Sequence, residues 1–154
     1  NIVYKKLNYK NDTFVHRDFH ISNLMMIKNK IGIIDSKDAL IGNKAYDLAS
    51  LIDDVRFETS EKLKNEIFNF YLKTQKILNK KTFKSDFNIL SVLRNLKIIG
   101  IFTRLSKRDN KHKYLKLIPY AWKLIELRMK NNNIFKDIKD ILDTNFSNKV
   151  RRIK

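Results

Sequence analysis

The stretch that decides the fold begins at residue 14 and reads Phe14-Val15-His16-Arg17-Asp18-Phe19-His20-Ile21-Ser22-Asn23-Leu24. Its core is His-Arg-Asp, followed by four residues and Asn. A carboxylate such as Asp18 can accept or orient the proton of an acceptor hydroxyl, which is the kind of help that phosphoryl transfer needs besides positioning. The amide oxygen of Asn23 is a hard donor suited to Mg²⁺. His16 is better placed to brace the loop than to take part in chemistry.

Two short apolar runs follow this loop and predict a small β-hairpin. They are Leu24-Met25-Met26-Ile27 and Ile31-Gly32-Ile33-Ile34, separated by three polar residues. Their weak alternation is typical of a buried or half-buried ribbon. Asp35 follows the second run, so the hairpin should return a carboxylate suited to Mg²⁺ to the side of Asp18 and Asn23. The alternative is that all three are ordinary turn residues of an Asn-rich chain.

The sequence predicts helices from about residue 45 onward. They are expected over about residues 60–78 with Ser60 as N-cap, 85–105 with Ser85 as N-cap, 114–130 with a bend or an interruption at Pro119, and a short segment near 134–142. The second helix is apolar around much of its girth and should be the most buried. The predicted fold class is therefore mainly α with a small β-hairpin. Residues 1–13 are expected to be a remnant or linker, 14–146 the domain, and 147–154 a frayed basic tail.

Composition excludes several classes of protein. The chain has 154 residues and no Cys, so disulfides and Cys-based zinc sites are excluded, and a reducing compartment such as the cytoplasm is the expected location. No apolar run is long enough to span a bilayer, so no membrane partner is expected. The net charge of +17 would suit nucleic acid, but the lysines are scattered among Asn and Asp and no nucleic-acid motif is present. Nucleic acid is therefore not the expected partner.

The loop and hairpin resemble the catalytic loop and metal-binding segment of protein kinases and of aminoglycoside and choline kinases. His20 is typical of the aminoglycoside-phosphotransferase type, whereas protein kinases usually carry Lys at that position. The segments Asp35-Ser36-Lys37-Asp38-Ala39-Leu40-Ile41-Gly42 and Ala45-Tyr46-Asp47-Leu48-Ala49-Ser50-Leu51 are similar to a pattern of bacterial kinases that act on the anomeric hydroxyl of N-acetylmuramic acid or N-acetylglucosamine. Residues 94–109 add to this likeness, which covers about residues 14–130.

This resemblance implies a protein-kinase-like C-terminal lobe that uses ATP and Mg²⁺. Asp18 would be the catalytic base. Asn23 and Asp35 would hold the metal ion and, through it, the nucleotide. Asp47 would be a buried carboxylate that braces the loop together with His16.

On the acceptor side, the resemblance implies that His20 and Asp38 face the cleft. Arg56 could contact substrate or nucleotide phosphates, or it could pair with Asp53 or Asp54. Those two carboxylates could themselves be a solvated helix end or part of the acceptor site.

The sequence departs from the family pattern at two positions beside the second metal ligand. Ser36 stands where the pattern has Phe, and Lys37 stands where it has Gln. Ser36 removes an apolar anchor, and Lys37 adds a cation beside Asp35 and Asp38. Either change could alter metal geometry or the choice of acceptor.

The leading hypothesis is therefore an ATP-dependent kinase of an amino sugar in cell-wall recycling. The alternatives are an aminoglycoside- or choline-type kinase of a small alcohol, and a basic nucleic-acid-binding module with a vestigial loop. The family's N-terminal lobe supplies a phosphate-covering loop and a Lys, and nothing before Phe14 is long enough to be that lobe. The chain is thus expected to be a fragment whose N-terminal lobe is missing and which alone binds ATP weakly or not at all.

Overall fold

Two antiparallel β-ribbons come before most of the helices in the computed structural model, which describes residues 2–152. One ribbon pairs β2 (Leu24–Ile27) with β3 (Lys30–Ile33), and this is the predicted hairpin. The other pairs β1 (Asn11–Val15) with β4 (Leu40–Asn43) and so joins the two ends of the loop-and-hairpin segment. The sequence does not predict this second ribbon, because its strands lie far apart along the chain.

Helices make up most of the remaining described chain, so the coarse fold class predicted from the sequence is confirmed. They are α1 (Tyr46–Ile52), α2 (Glu61–Thr74), α3 (Lys80–Asp109), α4 (Ile118–Met129), α5 (Lys136–Asn145) and α6 (Asn148–Arg151). Within residues 2–152, no helix combines the length and the apolar composition needed to cross a bilayer.

Helix α3 is the centre of the packing. Near its middle, Ile89 and Val92 join the apolar cluster formed with α4. Towards its N-terminus, Phe83 packs with residues of α1 and α2. Towards its C-terminus, Phe102 packs with Val55 and the first turns of α4. Because α3 contributes to all three clusters, the expectation of a deeply buried helix in this part of the chain is confirmed.

The ends of α3 differ from those predicted. Its N-cap is Asn79, whose side-chain oxygen accepts a hydrogen bond from the backbone N–H of Thr82 at 3.0 Å. Ser85, the expected cap, lies inside the helix. The helix also continues past the expected end at residue 105 to Asp109 and ends where Asn110 adopts φ 53°, a left-handed conformation that Asn tolerates better than most residues.

Helix α2 begins as predicted, with Ser60 as its N-cap, but it ends earlier than residue 78. Its last residue is Thr74, because Lys76 adopts φ 50° and turns the chain out of the helix. The N–H of Ile77 then donates to the carbonyl of Leu72 at 2.9 Å, which satisfies one of the free carbonyls at the helix end.

Pro119 marks a boundary between two elements rather than a bend within one helix. A 3-10 segment, His112–Leu117, precedes it, and Pro119 lies in the first turn of α4. Proline is well accommodated there, because the first N–H groups of a helix have no intrahelical acceptor.

Residues 2–13 are integrated into the fold, although a remnant or linker was expected. Val3 is buried within the cluster formed by α3 and α4. The backbone N–H groups of Asn8 and Tyr9 each donate to the carboxylate of Asp86 on α3, both at 2.9 Å. These contacts join the start of the chain to its central helix.

The described part of the basic tail, which was expected to be frayed, packs on the domain. Residues 148–151 form α6, and Arg151 is buried over the ring of Trp122, with 4.9 Å from its guanidinium carbon to the ring centroid. Its Nη2 donates to Asp143 at 2.7 Å. Residues 1, 153 and 154 lie outside the described residues.

The apolar side chains of the ribbons are largely exposed, so the prediction of a buried or half-buried hairpin is wrong for this chain. Met26 is 76% exposed and Ile31 is 64% exposed. The β1–β4 ribbon shows the same feature, with Phe14 64% exposed and Ile41 62% exposed. The error arises because apolar composition reports a preference for burial, whereas burial itself depends on what lies against the ribbon.

Candidate active site

Asp47, in the first turn of α1, holds the beginning of the loop. Its carboxylate accepts hydrogen bonds from the backbone N–H groups of His16 and Arg17, at 2.7 and 3.0 Å. Arg17 has φ 71°, a conformation that is unfavourable for a residue with a Cβ and therefore needs such support. The hydroxyl of Ser50, one turn further along α1, donates to the carbonyl of Arg17 at 3.3 Å. Burial raises the pKa of Asp47 above its ordinary value.

Replacing Asp47 with Ala is expected to lower the free energy of unfolding by about 2 kcal/mol at mildly acidic pH, because two part-buried N–H groups lose their acceptor. Since the pKa of Asp47 is raised in the folded state, the contribution of this carboxyl is fully present below the ordinary Asp pKa of about 4 and declines as the pH rises through the raised value. The difference in stability between the wild type and the variant should therefore shrink as the pH rises. Urea unfolding at several pH values measures this difference.

A matched control for this variant is Asp140→Ala, because Asp140 is exposed on α5. It is expected to change the free energy of unfolding by less than about 0.5 kcal/mol. Amide hydrogen exchange at His16 and Arg17 should accelerate only in the Asp47 variant. Equal effects of the two substitutions would contradict the bracing role of Asp47.

The loop itself is held by hydrogen bonds between its own residues. The side-chain Nδ2 of Asn23 donates to the carbonyl of Asp18 at 3.0 Å, and the N–H of His20 donates to the same carbonyl at 3.0 Å. The N–H of Asn23 donates to the carbonyl of His20 at 2.9 Å. The side-chain bond of Asn23 fixes the orientation of its amide and leaves Oδ1 free to bind another group.

The hairpin is joined to the loop next to Asp35. The N–H of Ile34 donates to the carbonyl of Asn23 at 3.1 Å, and the carbonyl of Ile34 lies 3.0 Å from Nε2 of His16. Asp35 follows directly and has φ 62°, so the chain turns sharply at this residue. The structure thereby brings the backbone of Asp18, Asn23 and Asp35 to one end of the hairpin.

The residues predicted on the acceptor side differ in accessibility. His20 is 6% exposed, and burial followed by the charge of Arg56 lowers the pKa of its imidazole, so the ring is neutral at neutral pH. Asp38 is exposed, and its backbone carbonyl accepts a hydrogen bond from Nη1 of Arg17 at 3.4 Å. His20 therefore lies inside the domain next to the loop, whereas Asp38 lies at the surface.

Asp53 and Asp54, at the end of α1, are buried, so the alternative of a solvated helix end is wrong. They are 0% and 2% exposed. Nη1 of Arg56 lies 3.2 Å from Oδ1 of Asp54, which is the kind of pairing left open from the sequence. Arg94 on α3 is also buried near this pair. The burial of Arg94 could have been predicted from the sequence, because this charged residue lies within the apolar stripe of a helix.

The groups near the loop fit a Mg²⁺ ion that is completed by ligands from outside the protein. Asn23 offers a free amide oxygen, and Asp35 offers a carboxylate that is 47% exposed. Nζ of Lys37 lies 3.7 Å from Oδ1 of Asp35 and competes with a cation there. Within residues 2–152, no three or more His, Cys, Asp and Glu side chains are grouped so as to hold a metal. A Mg²⁺ site here would therefore use two protein oxygens together with phosphate or water oxygens, which is common for this ion.

The loop and the hairpin that follows it have the arrangement expected from the resemblance to the kinase-like phosphotransferases. Residues 5–79 match the model of the phosphotransferase enzyme family, and they include the whole loop, both ribbons and α1. This segment is therefore similar to that family, and the resemblance predicted from the sequence is confirmed.

Curated bacterial proteins extend the likeness beyond the matched segment. The chain is 31% identical over 119 residues to an N-acetylmuramate/N-acetylglucosamine kinase of Caulobacter vibrioides. The aligned residues make up 74% of this chain and 33% of the relative. It is 37% identical over 112 residues to the kinase of the same name from Neisseria meningitidis, which covers 69% of this chain and 34% of the relative. A third, from Pseudomonas aeruginosa, is 34% identical over 119 residues, 73% of this chain and 35% of the relative. The chain thus spans about a third of the length of these relatives.

Proposed function

We propose that this chain is the catalytic-loop part of an ATP-dependent kinase whose acceptor is an amino sugar of the N-acetylmuramate or N-acetylglucosamine type. The observation that carries the proposal is the hydrogen-bonded junction between loop and hairpin, in which Ile34 binds the backbone of Asn23 at 3.1 Å. This junction keeps the loop that bears Asp18 beside the turn that bears Asp35. The names of the relatives supply the class of acceptor.

In this proposal Asp18 is the catalytic base. Its carboxylate takes the proton of the acceptor hydroxyl as the oxygen bonds to the γ-phosphorus and the bond between that phosphorus and the ADP oxygen breaks. Asn23 Oδ1 and the carboxylate of Asp35 would hold Mg²⁺. The bound ion would neutralise charge on the phosphates. Asp47 and His16 act on the chemistry only through the loop, whose shape they maintain.

The exposed ribbons support a further part of the proposal, namely that residues outside this chain complete the nucleotide site. Apolar side chains such as Met26, Ile31 and Ile41 are exposed on the two ribbons next to the loop. Grouped apolar side chains that face solvent usually mark an interaction site. The curated relatives are about three times as long as this chain, so they contain chain that could cover such a surface. Alone, residues 1–154 should turn over ATP very slowly.

The experiment that tests the proposal uses a chimera. Residues 1–154 are joined to the part of the Neisseria meningitidis relative that they do not cover, and transfer of the γ-phosphate of ATP is measured with four acceptors: N-acetylglucosamine, N-acetylmuramate, choline and an aminoglycoside. Transfer to the amino sugars alone is expected. Transfer only to choline or to the aminoglycoside would support a different small-alcohol kinase, and no transfer at all would contradict the proposal. The relative's part by itself is the control.

Replacing Lys37 with Gln in this chimera is expected to lower the Mg²⁺ concentration that gives half-maximal rate by about two- to fivefold. The cation of Lys37 lies 3.7 Å from Oδ1 of Asp35, and its removal frees a metal ligand from competition. The effect is modest, because an exposed charge is screened by solvent. Titration of the rate with Mg²⁺ measures it.

The control for this prediction is Lys116→Gln, which removes the same charge from an exposed position far along the chain from the loop. It should leave the Mg²⁺ dependence unchanged. A Lys37 variant with an unchanged or higher requirement would show that Lys37 does not oppose metal binding.

A further inference from the structure

Within residues 2–152, six buried side-chain polar atoms have no hydrogen-bond partner, and three of them belong to residues that interact electrostatically with one another. The three are Nδ1 of His20, Oδ2 of Asp54 and Nη1 of Arg94, on residues that are 6%, 2% and 5% exposed. Buried polar groups are nearly always paired, and each unpaired one opposes folding. These three unpaired atoms therefore indicate a binding partner that the hydrogen bonds of the described chain do not supply.

Their charges act on one another and on the catalytic loop. After burial, the groups that act on the pKa of His20 are Arg56, Asp54, Arg94 and Asp18. After burial, the groups that act on the pKa of Arg94 are Tyr46, Asp54, Arg56 and Asp18. Two guanidinium groups and two carboxylates thus act electrostatically on one neutral imidazole, and one of the carboxylates is the proposed base.

The two arginines differ in their carboxylate partners. Asp54 Oδ1 accepts from both the backbone N–H and Nη1 of Arg56, at 3.1 and 3.2 Å. Within residues 2–152, no carboxylate lies within ion-pair distance of Arg94, whose guanidinium is nevertheless buried. An unpaired buried charge is costly, because it has lost its hydration without gaining a counter-ion. Within the described chain, Arg94 is therefore a buried cation without a directly paired counter-ion, and its charge favours an anion nearby.

Arg56 is the member of the cluster that a ligand can reach. Its side chain is 31% exposed, and its backbone and one end of its guanidinium are fixed by Asp54. A guanidinium held in this way presents its remaining N–H groups in a fixed direction, which favours bidentate binding of a carboxylate. Arg94 is buried and adds positive charge that water screens poorly.

We propose that Arg56 and Arg94 form an anion subsite that binds the carboxylate of an acidic amino-sugar acceptor. This inference rests on the proposed function and adds to it the residues that distinguish two acceptors. The relatives are named for N-acetylmuramate and N-acetylglucosamine. These sugars share the ring and the acetamido group, and the first carries in addition a lactyl ether with one carboxylate. Arg56 binds that carboxylate directly, while Arg94 acts on it through its charge.

A fixed water molecule is the competing explanation for the unpaired atoms. Such a molecule could bridge Nη1 of Arg94 and Oδ2 of Asp54, as buried waters often do between polar groups. Arg94 would then serve the fold alone, and Arg56 would not distinguish the acid from the neutral sugar. The two explanations therefore differ in the ratio of affinities for the two sugars.

The test measures the dissociation constants of N-acetylmuramate and N-acetylglucosamine for the full chain by calorimetry or ligand-observed NMR. In the wild type the acid is expected to bind more tightly than the neutral sugar. Arg56→Gln should reduce this preference by about tenfold or more, because a charge-assisted bidentate contact is lost. Arg56→Lys should retain part of the preference, because it keeps the charge but loses the planar fork.

The matched control is Arg104→Gln, which makes the same substitution at an exposed position near the C-terminal end of α3. Arg104→Gln should leave the preference for the acid unchanged. Circular dichroism should show that Arg56→Gln and Arg104→Gln remain folded. An equal loss of affinity for both sugars in Arg56→Gln, or no preference in the wild type, would overturn the anion subsite but not the sugar-kinase proposal. Failure of the wild type to bind either sugar would overturn both.

Discussion

Asp18→Asn is expected to lower the rate of sugar phosphorylation by the chimera by about a hundredfold to ten-thousandfold, which is the usual contribution of a positioned general base. The contacts of Asp18 to the loop go through its backbone carbonyl, which accepts hydrogen bonds from Asn23 and His20, both at 3.0 Å. The substitution leaves this carbonyl in place. The fold should therefore survive while the proton acceptor is lost, and the effect should appear in kcat more than in the KM for the acceptor.

The control for this variant is Asp12→Asn, which makes the same chemical change at an exposed position of β1. It should retain the wild-type rate. Urea unfolding should give the same midpoint for Asp18→Asn and the wild type. A lower rate in the variant then cannot be attributed to a smaller fraction of folded protein. An unchanged rate in Asp18→Asn would remove Asp18 from the role of base and with it the main chemical argument for a kinase.

The largest effect on stability is expected from Asp53→Ala, at about 3–5 kcal/mol. Asp53 is 0% exposed and joins four helices through its carboxylate. Oδ1 accepts from Nζ of Lys64 at 2.9 Å, and both oxygens accept from the guanidinium of Arg128 at 2.8 Å. The hydroxyl of Ser91 also donates to Oδ2. Removal of Asp53 leaves two largely buried cations without a counter-ion.

Equilibrium unfolding in urea measures this loss, and the ion pair between Lys123 and Glu58 provides the comparison. Its side chains are both 65% exposed although Nζ and Oε1 are only 2.8 Å apart. Glu58→Gln should therefore cost less than about 1 kcal/mol. If Asp53→Ala were no more destabilising than Glu58→Gln, the four-helix junction would not stabilise the fold.

The same carboxylate predicts how stability depends on pH. Burial alone would raise the pKa of Asp53, but the hydrogen bonds and charges of Arg128, Lys64 and Ser91 outweigh it and hold the pKa below the ordinary value. A depressed pKa means that the stabilisation is present above the ordinary Asp pKa of about 4 and is lost as the pH falls through the depressed value. The wild type and Asp53→Ala should therefore converge in stability in strong acid.

The parts of the structure that the sequence predicted are those decided by local pattern. The loop from His16 to Asn23, the hairpin that returns Asp35 and the N-cap at Ser60 all depend on residues close together in the chain. The roles assigned to the loop side chains stay predictions, although the hydrogen bonds of Asp47 to the loop are those expected of a brace.

The parts that were missed depend on tertiary contacts. The pairing of β1 with β4 joins strands on either side of the hairpin, and neither strand has a sequence pattern that predicts which strand it pairs with. The burial of Asp53 is decided by cations that arrive from α2 and α4. The early end of α2 follows from the left-handed conformation of Lys76, a residue type that gives no sequence signal for it.

The position of α3 has a consequence for how the chain unfolds. A helix of 30 residues is about 45 Å long, and this one supplies side chains to each of the three apolar clusters. No cluster can lose its contacts while the others keep an undistorted α3, so the described domain should behave as a single cooperative unit rather than as separate foldons. The slowest amide protons to exchange should then lie along the middle of α3, around Ile89 and Val92, and should report the global free energy of unfolding.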